Sequence, residues 1–386
     1  MMNENKMSKN VGMYIHIPFC KQKCHYCDFI SYSQKEIEIE KYIENVIEEI
    51  NSYEEELENH NITTIYIGGG TPSYVDSKYI TKVLNILEEK LNETNNKTKF
   101  EDIEITIEIN PGTVNKEKIE EYKKAKINRI SIGLQSTNNE LLKQIGRIHT
   151  YEEFLETYKI IKEVGFENIN VDLMLGLPNQ TIQDIKTSLE EIKKINPNHI
   201  SVYSLIIEEG TVIEKQLEQG KIKLPEEEKE RQMYWYIKNT LELYGYNHYE
   251  ISNFAKKGKE SKHNMNCWEQ EEYIGIGLAA HSYLNNKRYS NIAIEENKDI
   301  SQWKRETEET QNLEDKKKEY MLLGLRKIEG VSILKFKEKY IENPIFLFRN
   351  ELEELIKQEL LQIDGDNIKL TNKGLDLANL VWEKFI

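Results

Sequence analysis

The chain has 386 residues, of which 38% are hydrophobic and 31% charged, and its formal net charge is −15. The length allows one large domain with an appendage, or two domains, and the acidic balance argues against non-specific nucleic-acid binding, which depends on lysine and arginine. No apolar run approaches the roughly 20 residues that span a bilayer, and the polar N-terminal segment does not resemble a signal peptide. We therefore expect a globular cytoplasmic protein with no membrane span and no nucleic-acid partner.

Six strand-like segments alternate with charged amphipathic segments over the first half of the chain. The predicted strands are 12–17, 64–68, 104–109, 129–133, 168–173 and 199–205. The predicted helices are 36–60, 78–91, 116–125, 151–164 and 181–194. This alternation predicts a parallel α/β sheet, either open or barrel-like, whose reactive loops follow the C-terminal ends of the strands.

Beyond residue 205 the alternation becomes irregular. The sequence predicts a helix at 226–244, a short strand at 249–251 and a loop across 256–270. We interpret the charged segment 295–316 as a linker. It would join a larger domain, residues 1–294, to a smaller one.

The C-terminal segment, residues 317–386, is predicted to form the smaller domain. Its helices accompany a strand pair, 360–364 and 367–370, that is joined by Gly365. This pattern is typical of a small winged-helix unit. Winged helices either read DNA or serve as packing modules, and the acidic chain favours packing.

Three cysteines, Cys20, Cys24 and Cys27, follow the first predicted strand in the order C-x3-C-x2-C. In reducing cytosol such clustering indicates metal binding or redox chemistry. A short loop of this kind can place three thiolates on one face of a 4Fe-4S cluster and leave the fourth iron without a protein ligand. Two alternatives remain open, a zinc site completed by Cys267 or a nearby histidine, and three core cysteines without any metal.

Glycine and polar residues recur just after the later predicted strands. Residues 68–70 and Thr71 form a turn that lets the backbone approach a ligand closely. Two carboxylates, an amide and a guanidinium lie at or beyond the following strand ends, and these are Glu108, Asp172, Gln135 and Arg147. Together they could hold the charges of an amino acid and the hydroxyls of a ribose. Each of them alone is equally compatible with a structural ion pair or a strand-end cap.

The run YIHIPFCKQKCHYCDF, residues 14–29, resembles the radical SAM superfamily. The similarity is greatest to the branch that contains oxygen-independent coproporphyrinogen III oxidase and the HemW-type heme chaperones, and it covers almost the whole chain. It implies a partial parallel (β/α)6 barrel with a smaller C-terminal helical or winged-helix-like domain. It also implies one 4Fe-4S cluster held by Cys20, Cys24 and Cys27, S-adenosylmethionine (SAM) at its open iron, and an electron donor for the cluster.

By the same resemblance, SAM contacts residues of the strands and of the loops that follow them. The implied set is Tyr14, Tyr26, Gly69, Gly70, Thr71, Glu108, Gln135, Arg147 and Asp172. In the family, the reduced cluster transfers an electron into the bound sulfonium, whose carbon–sulfur bond then breaks. The protein supplies positioning and a dry cavity for this chemistry. Some members hold a second SAM molecule.

Two departures separate this chain from the oxidase of that branch. In the oxidase Cys-x-Cys closes the cysteine motif, whereas here Asp28 and Phe29 follow Cys27. The oxidase also has a longer segment before its first strand, whereas 13 residues precede Tyr14 in this chain. Both departures favour the chaperone.

The run KHNMNCW, residues 262–268, resembles the H-N-x-x-Y-W signature associated with heme binding, with cysteine in place of tyrosine. The implied heme residues are His263, Asn264, Cys267 and Trp268. Histidine is a common heme ligand, and tryptophan offers an apolar plate. In isolation the same residues would indicate an inert buried cysteine and a loop histidine. Three other histidines have secondary interpretations, with His248 and His281 near the porphyrin and His16 supporting the cluster loop.

The favoured function is a heme chaperone of the radical SAM type, whose partners are heme and acceptor hemoproteins. The first alternative is an enzyme, the oxygen-independent oxidative decarboxylase of coproporphyrinogen III. A third class is a metal-binding structural or regulatory protein with a DNA-reading wing, which would hold zinc and bind DNA in a salt-dependent manner.

Overall fold

A computed structural model describes residues 9–94, 96–294 and 299–386. Its centre is a run of six parallel strands, in which each strand pairs with the next along the chain. The strands are β1 (Asn10–Ile17), β2 (Asn61–Gly69), β3 (Glu104–Ile109), β4 (Arg129–Gln135), β5 (Asn168–Leu175) and β6 (His199–Ser204). The predicted α/β class, strand number and parallel order are confirmed.

Side chains of these strands alternate between apolar and polar although both faces of the sheet are buried. On β2, Ile65 and Ile67 belong to the hydrophobic core, whereas Tyr66 between them donates a hydrogen bond to Glu108 on β3. On β5, Asn170 donates to Ser131 on β4. The sheet therefore has an apolar face and a polar interior, and the interior is suited to a polar ligand rather than to packing alone.

Helices connect the strands along the apolar face and beyond it. They are α1 (Ile39–Ser52), α2 (Glu54–Asn59), α3 (Ser77–Glu93), α4 (Lys116–Lys124), α5 (Asn139–Gln144), α6 (Tyr151–Glu163), α7 (Ile182–Ile195), α8 (Val212–Glu218) and α9 (Glu227–Leu243). Capping boxes begin α6 at Thr150 and α7 at Thr181. They fix these helix starts because each box satisfies backbone donors at the first turn.

Further strands extend the sheet at both ends. They are β7 (Asn247–Glu250), β8 (Asn253–Ala255), β9 (Glu272–Ile276), β10 (His281–Leu284), β11 (Lys287–Ala293) and β12 (Trp303–Thr310). The order is β12-β11-β10-β9-β1-β2-β3-β4-β5-β6-β8-β7. In the described ranges, the end strands β7 and β12 do not pair with each other. The sheet is therefore not closed, as a partial barrel requires.

Two predictions after β6 were wrong in part. The segment 256–270, predicted as a loop, contains helix α10 (Lys262–Trp268), which Ser261 caps by accepting from the Asn264 amide. The predicted linker 295–316 contains β12, which pairs antiparallel with β11 and continues the main sheet. Residues 295–298 of that prediction lie outside the described residues.

The C-terminal part has its own hydrophobic core. It contains α11 (Leu313–Gly324), β13 (Val331–Ser332), α12 (Ile333–Tyr340), α13 (Pro344–Leu347), α14 (Arg349–Lys357), β14 (Leu361–Asp364), β15 (Asn367–Leu370), α15 (Asn372–Asp376) and α16 (Ala378–Trp382). The predicted strand pair is present as β14 and β15, and β13 completes a small sheet. No helix in the described ranges is long and apolar enough to cross a bilayer.

Candidate cofactor site

The cysteine loop follows β1 and is tied to the barrel by backbone hydrogen bonds. The Cys20 amide donates to the Tyr32 carbonyl at 2.9 Å, and the Tyr32 amide donates to the Pro18 carbonyl at 2.7 Å. Within the loop, the Cys27 amide donates to the Cys24 carbonyl. The His25 amide donates to the Ile145 carbonyl after α5. The loop is therefore fixed at the C-terminal end of the parallel strands, where the sequence predicted it.

The turn after β2 packs directly against the first cysteine. Thr71 Oγ1 lies 3.5 Å from Cys20 Sγ, and the Gly70 amide donates to the Ile17 carbonyl. A Cβ atom at Gly70 would lie 3.0 Å from Cys20 Sγ and from the Phe19 backbone. This close approach requires glycine at position 70.

The three thiols lie close enough to act on one another electrostatically. Burial raises the pKa of Cys20, and it raises the pKa of Cys27 to about 11. The free thiols of Cys20 and Cys27 are therefore protonated at neutral pH, and a bound iron would take the place of those protons. Three thiols on one short loop, all at the same strand end, are the donor set of a cluster with an iron left open to a ligand. In the described ranges, no three metal-binding side chains converge closely enough to hold a single metal ion, so the donor chemistry carries this assignment. Cys267 lies elsewhere, in α10.

Arg147 joins the cysteine loop to the barrel interior. Its Nη1 donates to Cys24 Sγ at 3.6 Å, and its Nη2 donates to Asn110 Oδ1 at 2.5 Å and to the Gly133 carbonyl at 2.9 Å. A Cβ atom at Gly133 would lie 2.9 Å from that Nη2, so β4 needs glycine here. The Arg147 Nε is buried and has no protein partner. This donor is available to a ligand beside the cluster loop.

Glu108 and Tyr66 lie in the interior below the cysteine loop. The Tyr66 hydroxyl donates to Glu108 Oε1 at 2.8 Å, and the Gly69 amide donates to Oε2 at 3.3 Å. Burial raises the pKa of Glu108 to about 7. In the same interior, Tyr14 lies 2.9 Å from the His16 ring, whose other nitrogen meets the Ile30 carbonyl. His16 thus links β1 to the end of the cysteine loop, as predicted.

Asp172 on β5 lies on the other side of this interior. Its carboxylate accepts from Asn170 at 2.7 Å and from Ser131 at 3.3 Å, and burial raises its pKa. Gln135 follows a bulge in β4 and has a φ of 69°. Its side-chain nitrogen lies 3.0 Å from the position that a Cβ atom would take if one were added to Gly133, beside Arg147. Such a backbone outlier near a polar cavity is typical of functional positions.

The structure brings the predicted cluster and SAM residues together in one polar region at the C-terminal ends of the parallel strands. Tyr26 completes it from the cysteine loop: burial raises its pKa, and Arg147, Cys24 and Asp172 all act on it electrostatically. Sequence reasoning missed Asn110. Its Oδ1 accepts a hydrogen bond from Arg147, and its Nδ2 donates to Thr71 Oγ1 at 2.9 Å. The sequence feature that could have identified Asn110 is its position directly after β3, next to the turn residues Pro111 and Gly112.

We expect ligand-free Glu108→Gln protein to be more stable than the native protein near pH 8, with the difference shrinking toward pH 5. Because the pKa of Glu108 rises from 4.5 to about 7 on folding, the folded chain retains a proton that the unfolded chain releases. Folding stability is therefore lost as the pH rises between these values, by roughly 3 kcal/mol at most. Urea unfolding at several pH values measures this, with exposed Glu117→Gln as control. Parallel pH profiles for both variants would contradict it.

His263 lies at the opposite end of the interior, near the N-terminal ends of β1 to β3. Its Nδ1 is 2.9 Å from Thr64 Oγ1, its ring stacks on Tyr66 with 5.2 Å between centroids, and its amide donates to Glu104. Burial lowers its pKa to about 4, so the imidazole is neutral. His263 is therefore separate from the cysteine loop, and Tyr66 lies between His263 and Glu108.

The other residues of the HNMNCW motif point in different directions from α10. The Asn264 amide is used in the helix cap at Ser261. Burial raises the pKa of Cys267 to about 11, and the nearby guanidinium of Arg288 partly offsets this. Trp268 faces Arg326 of the C-terminal part, with 4.4 Å between the Arg326 Cζ and the ring centroid. Helix α10 thus contacts the barrel, the extended sheet and the C-terminal part.

The two secondary histidine candidates lie away from His263. His248 is buried, stacks on Phe254 with 4.4 Å between centroids, and lies 3.2 Å from the Ile251 carbonyl. These contacts are those of a core histidine. His281 is exposed at the start of β10.

Comparisons with known proteins agree with this arrangement. Residues 14–192 match the Radical SAM superfamily, and residues 311–377 match the HemN C-terminal domain. The chain is 40% identical to Heme chaperone HemW of Lactococcus lactis subsp. lactis over 98% of each sequence. It is 36% identical to the Bacillus subtilis protein of the same name and 31% identical to the Escherichia coli one, over 97% of this chain and 98% of each relative.

Among solved structures, coproporphyrinogen III oxidase (HemN) from Escherichia coli, described as a radical SAM enzyme, superimposes with a TM-score of 0.81. The superposition covers 98% of this chain and 90% of that chain at 21% identity, so it establishes the fold. The family follows from the full-length relatives. The chain belongs to the radical SAM superfamily and, within it, to the HemW family.

Proposed function

We propose that this protein is a heme chaperone that binds heme, one 4Fe-4S cluster and SAM, and that transfers heme to acceptor hemoproteins. The observation that carries the proposal is the near full-length identity, 31–40%, to relatives named heme chaperone HemW. The fixed cysteine loop beside the polar interior of the barrel supports the cofactor part of it. The HNMNCW helix at the other end of the interior supports a separate place for heme.

Cys20, Cys24 and Cys27 would hold the cluster, and SAM would occupy the polar cavity beside it. The bound cluster would supply electron transfer to SAM. Arg147 would hold a carboxylate with its unpartnered Nε, and the Glu108 carboxylate would orient an amino group. Asp172, with its oxygens already aligned by Asn170 and Ser131, would accept hydrogen bonds from ribose hydroxyls. The remaining proposed cavity residues are Tyr14, Tyr26, Gly69, Gly70, Thr71 and Gln135.

The proposed heme residues are His263, Asn264, Cys267 and Trp268. His263 is neutral at physiological pH because of its lowered pKa, and a neutral imidazole is the form that ligates iron. To use Nδ1 it would exchange the Thr64 hydroxyl for the metal, because that hydroxyl occupies Nδ1. Burial raises the pKa of the Cys267 thiol to about 11, so iron would have to displace its proton, as it would at Cys27. The neutral imidazole of His263 can ligate iron without losing a proton.

The test is anaerobic reconstitution of the full chain followed by two assays on one sample. Heme titration by absorption measures the proposed function, and turnover of coproporphyrinogen III with reductant and SAM measures the alternative. We expect stoichiometric heme binding, transfer of heme to an added apo-hemoprotein, and no turnover. Turnover without heme binding would overturn the proposal in favour of the oxidative decarboxylase.

We expect His263→Gln to change the absorption spectrum of bound heme and Cys267→Ser to leave it unchanged. The reason is that the neutral imidazole can ligate iron without losing a proton, whereas the buried Cys267 thiol must first release one. His248→Gln is the matched control, because His248 is also buried but stacks on Phe254 outside the motif. A shifted spectrum for Cys267→Ser would identify thiolate ligation instead.

A further inference from the structure

A guanidinium lies between two indole rings where α10 meets the C-terminal part. The Arg326 Cζ is 4.4 Å from the ring centroid of Trp268 and 4.9 Å from that of Trp382. Trp268 ends α10 and Trp382 ends α16. We call these residues the Trp–Arg–Trp stack. It places an arginine of the C-terminal part directly against the last residue of the HNMNCW motif.

Three N–H groups of this stack have no protein partner. The Nε of Arg326 and the Nε1 atoms of both tryptophans are buried without a hydrogen bond, and the Arg326 side chain forms no ion pair within the described ranges. Burial lowers the pKa of Arg326, and Glu250 acts against this from a distance. Glu250 uses one carboxylate oxygen for the Ser252 amide and for Asn253. The stack therefore holds a guanidinium whose Nε–H is unused.

A second arginine stack in the same chain shows that stacking alone does not require such unused donors. Arg305 lies over Tyr53 and Tyr289, with 4.7 and 4.6 Å from Cζ to the ring centroids. There the Tyr53 hydroxyl donates to Tyr289 at 3.1 Å, and Arg305 is exposed to solvent. The Trp–Arg–Trp stack differs because Arg326 Nε and both indole Nε1 atoms are shielded from water and unpaired, which is costly unless a ligand pairs with them.

Stacking occupies the two faces of a guanidinium and leaves its N–H groups in the plane, where their geometry matches a carboxylate. Heme is a flat apolar ring with carboxylate side chains, and the indoles beside Arg326 offer apolar surface. We propose that Arg326 receives a propionate carboxylate of bound heme and that Trp268 and Trp382 flank it. This inference rests on the proposed heme function and assigns a specificity residue that lies outside the HNMNCW motif.

The test compares heme with heme dimethyl ester, in which both propionates are blocked, on the full reconstituted chain. For the native protein we expect the ester to bind at least about tenfold more weakly, because a charge-assisted bidentate contact is lost. For Arg326→Gln we expect heme and its ester to bind with equal, reduced affinity. Arg305→Gln, which removes the other stacked guanidinium, should discriminate as the native protein does.

Equal binding of heme and its ester by the native protein would overturn this inference and leave the heme function standing. Absence of heme binding by the native protein would overturn both. Arg326→Lys guards against a folding defect in the glutamine variant, because it keeps the charge and the stem but loses the planar fork. It should show a smaller difference between heme and ester than the native protein, and full native discrimination by Arg326→Lys would contradict the assignment.

Discussion

Replacement of Cys24 by serine is expected to remove the iron–sulfur chromophore and to reduce bound iron and sulfide to background. The three thiols of one loop are the proposed ligands, and a cubane held at three corners has no spare protein ligand if one is lost. Cys24 also receives the Arg147 guanidinium at 3.6 Å. Anaerobic reconstitution followed by iron analysis and absorption spectroscopy measures the effect.

Cys267→Ser is the matched control for that experiment. Cys267 lies in α10, at the other end of the barrel interior from the cysteine loop. We expect this variant to bind iron and sulfide as the native chain does. Native iron content in Cys24→Ser, or loss of the chromophore in Cys267→Ser, would show that the three-cysteine assignment is wrong.

Arg147→Ala is expected to weaken SAM binding by about a hundredfold while most of the iron stays bound. Removing one partner of a buried charged contact costs about 2–5 kcal/mol, and Arg147 presents a buried Nε without a protein partner beside the cysteine loop. Equilibrium binding of SAM to the reconstituted protein measures this. Iron analysis on the same sample separates loss of the ligand contact from loss of the cluster.

Two further variants define the Arg147 result. Arg147→Lys keeps a positive charge but cannot reach Cys24, Asn110 and the Gly133 carbonyl with one planar group, so its affinity should lie between those of the native and alanine forms. Arg349→Ala removes an exposed arginine on α14 that pairs with Glu353, and it should bind SAM normally. Unchanged SAM affinity in Arg147→Ala would exclude Arg147 from the site.

Much of the barrel could be predicted because its strands combine two clear patterns. Ile65 and Ile67 on β2 are isoleucines on an apolar face, and the charged helices between strands have the helical period that parallel sheets require. Turn residues then mark the strand ends, as Gly69 and Gly70 do after β2. Because the C-terminal ends of parallel strands share one edge, motifs far apart in the sequence could be placed at one site.

The segments predicted wrongly lack such patterns. Helix α10 has seven residues with one buried side chain, His263, so it has no helical period and depends on the Ser261 cap. Strand β12, with the sequence WKRETEET, is dominated by charged side chains and gains its structure from pairing with β11. In both cases tertiary contacts outweigh local propensity.

Individual side-chain contacts between distant parts of the chain could not be predicted, although the strand ends could be placed at one site. Arg326 contacts Trp268 and Trp382, each more than fifty positions away in the sequence. No local hydrophobic periodicity predicts such a stack. Asn110 likewise belongs to no recognisable motif, although its side chain accepts a hydrogen bond from Arg147. These contacts follow from how the C-terminal part and the strand-end loops pack, and a single sequence does not contain that information.

Tyr66 could couple the binding free energies of SAM and heme, because its side chain contacts both proposed ligand regions. Its hydroxyl donates to Glu108, and its ring stacks on His263. If an amino group binds Glu108 and iron binds His263, any shift of this phenol alters both binding free energies together. Thermodynamic reciprocity then requires heme to change the affinity for SAM by the same factor by which SAM changes the affinity for heme. Cofactor loading would in that way set how tightly the cargo is held.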